Sequence, residues 1–97
     1  MMPRESEGSL QELIHYILSV DRRIFVVREF QHSPIVQASN VAEKTGRSLQ
    51  NISRALKELE KKGIVICVNP ERRTWKRYIL TETGKKVLDT LKSQNLI

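Results

Sequence analysis

The sequence predicts a mainly helical α+β domain in which helices surround one short antiparallel hairpin. Apolar residues recur at helical spacing in several segments, which predicts amphipathic helices. Two β-branched or aromatic segments, 64–68 and 75–80, flank a charged loop, which predicts a hairpin. Ninety-seven residues are enough for one hydrophobic core without disulfides. We therefore expect a flexible tail at 1–8 and a single domain over 9–97.

The first predicted helix covers residues 9–20 and adds to the core of the domain. Ser9 and Glu12 have the spacing of a capping box, in which hydroxyl and carboxylate bind amides of the first turn. The apolar stripe that follows consists of Leu10, Leu13, Ile14, Ile17 and Leu18. Such a stripe has to be covered, either by the domain itself or by a second copy of the chain.

Residues 21–30 are predicted to form another helix, which is either separate from the first or continues it with a bend. Ser19 or Asp21 is a candidate cap. We expect the arginines of this segment and Glu29 to point to solvent, and residues 35–37 to form a short strand. The apolar face is predicted to consist of Ile24, Val27 and Phe30.

Two helices joined by a tight turn occupy the middle of the chain. The first starts near Ala38 and ends at Gly46, a residue suited to the left-handed conformation that stops a helix. The second covers 48–62, with Ser48 as N-cap and Gly63 after its end. Its buried stripe is predicted to consist of Ile52, Ala55, Leu56 and Leu59.

The remaining elements are a hairpin over 64–81 and a C-terminal helix over 82–94. The pair Asn69-Pro70 ends the first strand, and the loop after it is charged. Thr81 is a candidate cap for the last helix, and Glu82 places a carboxylate in its first turn, where the helix dipole favours negative charge.

Positive charge is concentrated in the second half of the sequence. The net charge is +6, but residues 1–46 carry five Lys/Arg against six Asp/Glu, whereas residues 47–97 carry twelve against five. The charge changes sign where the 48–62 helix begins. A one-sided positive field favours a polyanion, and the alternative is a basic surface that only keeps the protein in solution.

Several classes of function lack support in the sequence. No apolar run approaches the ~20 residues of a membrane span, and the N-terminus has no secretory signal, so we expect a cytoplasmic protein without membrane partner. The one cysteine, Cys67, lies in an apolar strand and is read as an inert buried thiol. His15 and His32 lack metal-ligand spacing, and no catalytic constellation is present; we expect no enzyme, metal or cofactor.

The start of the 48–62 helix carries the predicted base contacts. Gln50, Asn51 and Arg54 fall within one outward sector of a helix that turns ~100° per residue. Such side chains pair with base edges, Arg with guanine and Gln or Asn with adenine. A solvated face is the alternative, but it would suit acidic residues equally, and this first turn has none.

Residues flanking this helix start and residues of the hairpin are predicted to contact the nucleic-acid backbone. An alternative for the hairpin is a charged edge that discourages sheet aggregation. Trp75 is interpreted as a packing residue that pins the hairpin, with stacking on nucleic acid as the alternative. The predicted phosphate contacts are Arg47, Ser48, Ser53 and Lys57, and those of the hairpin are Arg72, Arg73, Lys76 and Arg77.

The order of elements resembles the winged helix-turn-helix domain of MarR-type transcriptional regulators, especially short archaeal members. Four pieces carry the resemblance: the helix closed by Gly46, the segment 52–65, the loop 69–73 and the segment 80–85. The loop lacks the Asp-x-Arg motif of typical members, and the sequence stops at 97, before the long C-terminal dimerisation helix of many members. The resemblance therefore covers about half of the chain, from Val41 to Leu88.

The residues and the resemblance together predict a sequence-specific double-stranded DNA-binding transcription regulator. The 48–62 helix would enter the major groove, and the hairpin, as the wing, would lie on the adjacent backbone or minor groove. A homodimer through the N-terminal and C-terminal helices is a further expectation. The alternatives are a winged-helix protein-interaction module and a non-specific DNA- or RNA-binding chromosomal protein.

Overall fold

The computed structural model describes the backbone of residues 2–97 and the side chains of residues 10–97. Within these residues the chain forms five helices and one two-stranded antiparallel sheet, and the predicted mainly helical α+β fold is confirmed. The elements in order are α1 (Met2–Leu18), α2 (Asp21–Glu29), α3 (Ala38–Thr45), α4 (Leu49–Lys61), β1 (Val65–Cys67), β2 (Tyr78–Leu80) and α5 (Glu82–Ser93).

Helix α1 begins earlier than the capping box predicts. It starts at Met2, so residues 2–8 belong to the helix and the backbone of Ser9 lies within it rather than at its start. Pro3 is compatible with this start, because proline is tolerated in the first helical turn, where amides have no partner within the helix. Met1 and the side chains of residues 2–9, including the predicted Ser9 cap contact, lie outside the described residues.

Helix α2 is separate from α1, which decides between the two possibilities that the sequence left open. Val20 is its extended N-cap residue and makes no side-chain cap bond. Ser19 instead donates from its hydroxyl to the Tyr16 carbonyl, at 2.8 Å, and Asp21 occupies the first turn. The break between the two helices therefore lies at 19–20.

The core is one cluster to which all five helices and the sheet contribute. Ile14 and Ile17 of α1 are buried in it, so the domain covers the centre of that stripe, while Leu10 and Leu13 are only half-buried. The stripe of α4 is buried as predicted. In α2 the buried apolar residues are Val26 and Val27, Ile24 is half-buried, and Phe30 at the C-cap is buried as well.

Two of the three arginines of α2 do not point to solvent, contrary to prediction, whereas Arg28 is exposed as predicted. Arg22 and Arg23 both donate to the carboxylate of Glu58 on α4, at 3.0 and 2.9 Å. Arg23 also donates to the Tyr16 carbonyl and lies 3.7 Å from the centroid of the Tyr16 ring. Periodicity assigned Arg22 and Arg23 to the polar side of α2. The edge of that side faces α4, where both side chains reach Glu58.

A single backbone bridge, rather than a third strand, joins the hairpin to the segment before α3. Its register pairs Val65 with Leu80 and Cys67 with Tyr78. Val36 and Tyr78 exchange both backbone hydrogen bonds, at 2.9 Å each, so the predicted strand at 35–37 is reduced to one bridge. Cys67 is buried, as predicted.

Candidate nucleic-acid interface

The turn between α3 and α4 is built by short-range contacts that the sequence encodes directly. Gly46 has φ 73°, the left-handed conformation expected of it, and donates from its amide to the Ala42 carbonyl at 2.9 Å. Ser48 is extended, and its hydroxyl oxygen accepts from the Asn51 amide at 3.1 Å, so the predicted N-cap is confirmed. These contacts fix where α4 begins.

The three predicted base contacts project from the first turns of α4 into solvent. Gln50, Asn51 and Arg54 are all exposed. Among residues 10–97, none of their side chains has an intramolecular hydrogen bond or ion pair. Nothing in this part of the chain therefore has to be broken before these donors and acceptors meet a ligand.

The four predicted phosphate contacts have different surroundings. Arg47 is ion-paired with Asp21 and lies 5.3 Å from the centroid of the Phe25 ring. Ser48 uses its hydroxyl oxygen as the helix cap, which leaves its proton free to donate. Ser53 is half-buried and Lys57 is exposed. Only Arg47 would have to exchange an existing partner for a phosphate.

The side chain of Asn69 holds the base of the wing together. Its oxygen accepts from the Arg77 amide at 2.8 Å, and its nitrogen donates to the Trp75 carbonyl at 3.2 Å. The Cys67 thiol also donates to that oxygen at 3.4 Å. One amide side chain therefore closes the loop that carries the predicted wing cations.

The wing places its cations on the surface but does not pack its tryptophan. Arg72, Arg73 and Arg77 are exposed and Lys76 is half-buried. The interpretation of Trp75 as a packing residue is wrong, because its side chain is 64% exposed. Tyr78 is the buried aromatic residue of the hairpin, and burial raises its pKa to about 12. The periodicity of the sequence could not show which of these two aromatic residues is buried and which is exposed.

Helix α4 and the wing enclose an open groove of about 440 Å³. Leu49, at the first position of α4, lines it with 55% of its surface exposed. Sequence analysis missed this residue, and periodicity could not have shown its exposure, because Leu49 lies at helical spacing from Ile52 and Leu56 of the buried stripe. The other lining residues include Ala38, Ser53, Leu56, Lys57, Arg73, Trp75, Lys76 and Tyr78.

The Glu58 carboxylate links α4 to α2. The hydrogen bond from Arg23, and that from Arg22, hold the pKa of Glu58 below its usual range, against the opposing effect of burial. Both arginines are less exposed than a surface pair, at 24% and 11% of their side-chain surface. The contact therefore orients α4 relative to the rest of the domain.

The described part of the chain shows neither a cluster of metal-binding residues nor a membrane-spanning helix. Residues of the kind that bind metals do not gather there: no three His, Cys, Asp or Glu side chains are grouped closely enough to hold an ion. None of the described helices is both long and apolar enough to cross a membrane.

The helix pair, its tight turn and the basic hairpin define a winged helix-turn-helix protein. Residues 26–66 match the family described as "Winged helix-turn-helix DNA-binding". This segment runs from α2 to β1 and includes the turn and all of α4. The chain therefore has the winged helix-turn-helix fold that the sequence predicted, and its segment 26–66 is similar to this DNA-binding family.

One curated relative is similar to this chain in sequence. Transcription factor E of Nanoarchaeum equitans (strain Kin4-M) is 38% identical over 69 residues, which is 70% of this chain and 48% of that protein. The chain thus spans about half the length of this relative.

Solved structures of MarR-family regulators share the fold. One MarR-family transcription regulator superposes with a TM-score of 0.69 over 98% of this chain and 64% of its own, at 19% identity. The transcriptional repressor CouR, bound to a 23-mer DNA duplex, has a TM-score of 0.65 over 95% of this chain and 68% of its own, also at 19% identity. The predicted likeness to MarR-type proteins is confirmed as a likeness of fold.

Proposed function

We propose that this protein is a sequence-specific double-stranded DNA-binding transcription regulator. The observation that carries the proposal is the free polar face of α4, where Gln50, Asn51 and Arg54 are exposed and unengaged among the described residues. Amide and guanidinium groups at the start of a helix match base edges in the major groove. The DNA duplex in the CouR structure, a protein of the same fold, supports this choice of ligand.

In the proposed complex, α4 lies in the major groove and the wing lies on the neighbouring backbone or minor groove. The phosphates beside α4 are bound by Arg47, Ser48, Ser53 and Lys57. These contacts position the helix but do not read the base sequence. The wing adds Arg72, Arg73, Lys76 and Arg77. The net charge of residues 47–97, twelve Lys/Arg against five Asp/Glu, supplies the long-range attraction to a polyanion.

A homodimer through α1 and α5 belongs to the same proposal. Support comes from apolar surface at these helices: Leu10 and Leu13 are half-buried and Leu96 is 41% exposed. A two-fold dimer would read half-sites about one helical turn apart. The single, buried Cys67 suits the reducing cytoplasm, where we place the protein.

The substitution Arg54→Ala tests the base-reading face. We expect a loss of roughly 1–3 kcal/mol at the preferred sequence and a relaxed preference at one base position, because a bidentate contact is removed. Selection of bound duplexes from a random pool, followed by titration of the selected sequence, measures both effects.

Lys61→Ala is the matched control, since Lys61 is an exposed cation in the last turn of the same helix. It should leave the base preference unchanged. If Arg54→Ala changes neither affinity nor preference, α4 does not read the major groove. Duplex binding that is absent, or insensitive to salt, would instead favour a protein-interaction module.

A further inference from the structure

The only tryptophan of the chain stands exposed beside the α4–wing groove. Trp75 presents 64% of its surface to solvent, and Leu49 on the opposite element presents 55%. Large apolar side chains exposed together around a concave surface mark binding sites more often than chance surface exposure does. Duplex readout by Gln50, Asn51 and Arg54 makes no use of this indole.

The backbone at Trp75 is held in a costly conformation. Its φ is 60°, in the left-handed region that bulky residues rarely adopt. The hydrogen bond from the Asn69 side chain to the Trp75 carbonyl, at 3.2 Å, helps to maintain it. Strain of this kind is concentrated at functional sites. Here it accompanies an indole that is exposed instead of packed.

The groove also carries the charge that a nucleotide strand requires. Lys57 lines it from α4, and Arg73 and Lys76 line it from the wing. Acidic residues are absent from its described lining. An aromatic platform beside a cationic track is the arrangement by which proteins hold single-stranded nucleic acid.

We propose that the α4–wing groove binds a nucleic-acid strand with unpaired bases, one of which stacks on the Trp75 indole. Leu49 packs against the same base or its sugar, and Lys57, Arg73 and Lys76 bind the flanking phosphates. Inside a duplex both faces of each base are covered by neighbouring base pairs, whereas an unpaired base offers a free face to the indole.

This activity is distinct from duplex recognition but competes with it for part of the surface. Lys57, Arg73 and Lys76 serve both ligands, so a strand in the groove displaces the duplex. Gln50, Asn51 and Arg54 do not line the groove and serve only the duplex. The two activities can therefore fail independently.

Tryptophan fluorescence offers a direct test, because Trp75 is the sole source of the signal. Oligothymidylate of about 12 nucleotides, within the usual site size, is titrated into the full chain at low salt. We expect strong quenching that saturates and weakens with added salt. A blunt duplex of mixed sequence should quench weakly. Oligouridylate of the same length distinguishes RNA from DNA as the source of the unpaired strand.

Variants separate stacking from charge, with binding measured by anisotropy of a labelled oligothymidylate. Trp75→Ala should weaken binding by roughly 5- to 100-fold, the range expected for one stacked base, whereas Trp75→Phe should retain most of it. Lys86→Ala removes one cation from α5, outside the groove lining, and is the control for net charge. Because Trp75 is exposed, its variants should keep the parent melting temperature.

Three results would overturn the proposal. The first is equal affinity of Trp75→Ala and the parent chain for oligothymidylate. The second is fluorescence that stays unchanged at saturation, or that the duplex quenches as strongly as the single strand. The third is absence of oligothymidylate binding at low salt, which would leave the groove to a protein partner. None of these results depends on whether the Arg54 test finds sequence preference.

Discussion

At the scale of single residues, Gly84 shows a glycine required by space rather than by backbone angle. It lies in the first turn of α5, where its amide donates to the Thr81 hydroxyl at 3.0 Å. A Cβ atom at this position would come within 2.1 Å of the Ile64 carbonyl oxygen and 2.9 Å of a Leu80 methyl group. Only glycine therefore lets α5 approach the start of the hairpin.

We predict that Gly84→Ala lowers the free energy of unfolding by about 1–3 kcal/mol, because the new methyl group overlaps backbone that cannot move aside easily. Urea unfolding followed by circular dichroism measures the change. Thr83→Ala, at an exposed neighbouring position, is the control and should stay within about 0.5 kcal/mol of the parent. Equal midpoints for the two variants would show that the approach of α5 to Ile64 is not tight.

At the scale of elements, the contact between α2 and α4 depends on the ionised Glu58. Arg23 and Arg22 hold the pKa of Glu58 in the folded state below its ordinary value. The contact therefore stabilises the folded state at pH values above that ordinary pKa. The stabilisation is complete above pH 4.5, and it is lost as the pH falls below 4.5 and through the lower pKa of the folded state.

We therefore predict that Glu58→Gln destabilises the domain by about 1–2 kcal/mol at neutral pH and by less in acid, where the parent carboxylate is protonated too. Thermal unfolding across a pH series measures the difference. Glu60→Gln makes the same change at an exposed position of α4 and should have little effect at any pH. A difference between parent and Glu58→Gln that persists unchanged in acid would contradict the role of the charge.

The wing is a second element, and its contribution to duplex binding can be measured separately. We predict that Arg72→Ala combined with Arg73→Ala weakens binding of all duplexes similarly, because phosphate contacts carry no sequence information. The slope of log affinity against log salt should fall by about 2, one unit for each cation removed.

Duplex titrations at several salt concentrations measure this slope. The pair Lys85→Ala and Lys86→Ala removes the same charge from α5 and is the matched control. An unchanged slope in the wing variant would place the wing off the DNA. A selective loss at one sequence would instead assign base readout to it.

At the scale of the whole molecule, the proposed DNA-binding face and the proposed dimer contact lie on different elements. The proposed DNA-binding face gathers the cations of α4 and the wing, while Leu10, Leu13 and Leu96 lie on or beyond the terminal helices. A dimer through the terminal helices would therefore leave both recognition helices available.

We predict that sedimentation at micromolar concentration shows a dimer, and that Leu96→Glu shifts it towards monomer by placing a charge in the apolar contact. Ile66→Glu is the control, because Ile66 is 50% exposed but lies on the hairpin. A parent chain that sediments only as monomer would refute the dimer.

Local signals in the sequence correctly predicted the elements that form the candidate interface. Gly46, Ser48, Gly63 and Thr81 act within a few residues of themselves, so their roles follow from residue type and spacing. The apolar stripe of α4 likewise follows from period alone. These features were enough to predict a winged helix-turn-helix domain and its exposed polar face.

Contacts between distant segments had no such signal. The pairing of Arg22 and Arg23 with Glu58 spans 36 and 35 residues, and periodicity cannot say which polar side chains meet across two helices. The helical start at Met2 and the single bridge of Val36 also went unpredicted. Each depends on what the rest of the domain places beside it.

The sequence by itself determined the class of fold, the boundaries of the helix pair and the side of α4 that faces outward, because these depend on local propensity, capping and period. The tertiary structure alone decided that Trp75 is exposed while Tyr78 is buried, and that Leu49 and the wing form a groove. The physical reason is that burial is a property of the packed neighbours. Two aromatic residues three positions apart in one hairpin have the same local signal and opposite surroundings.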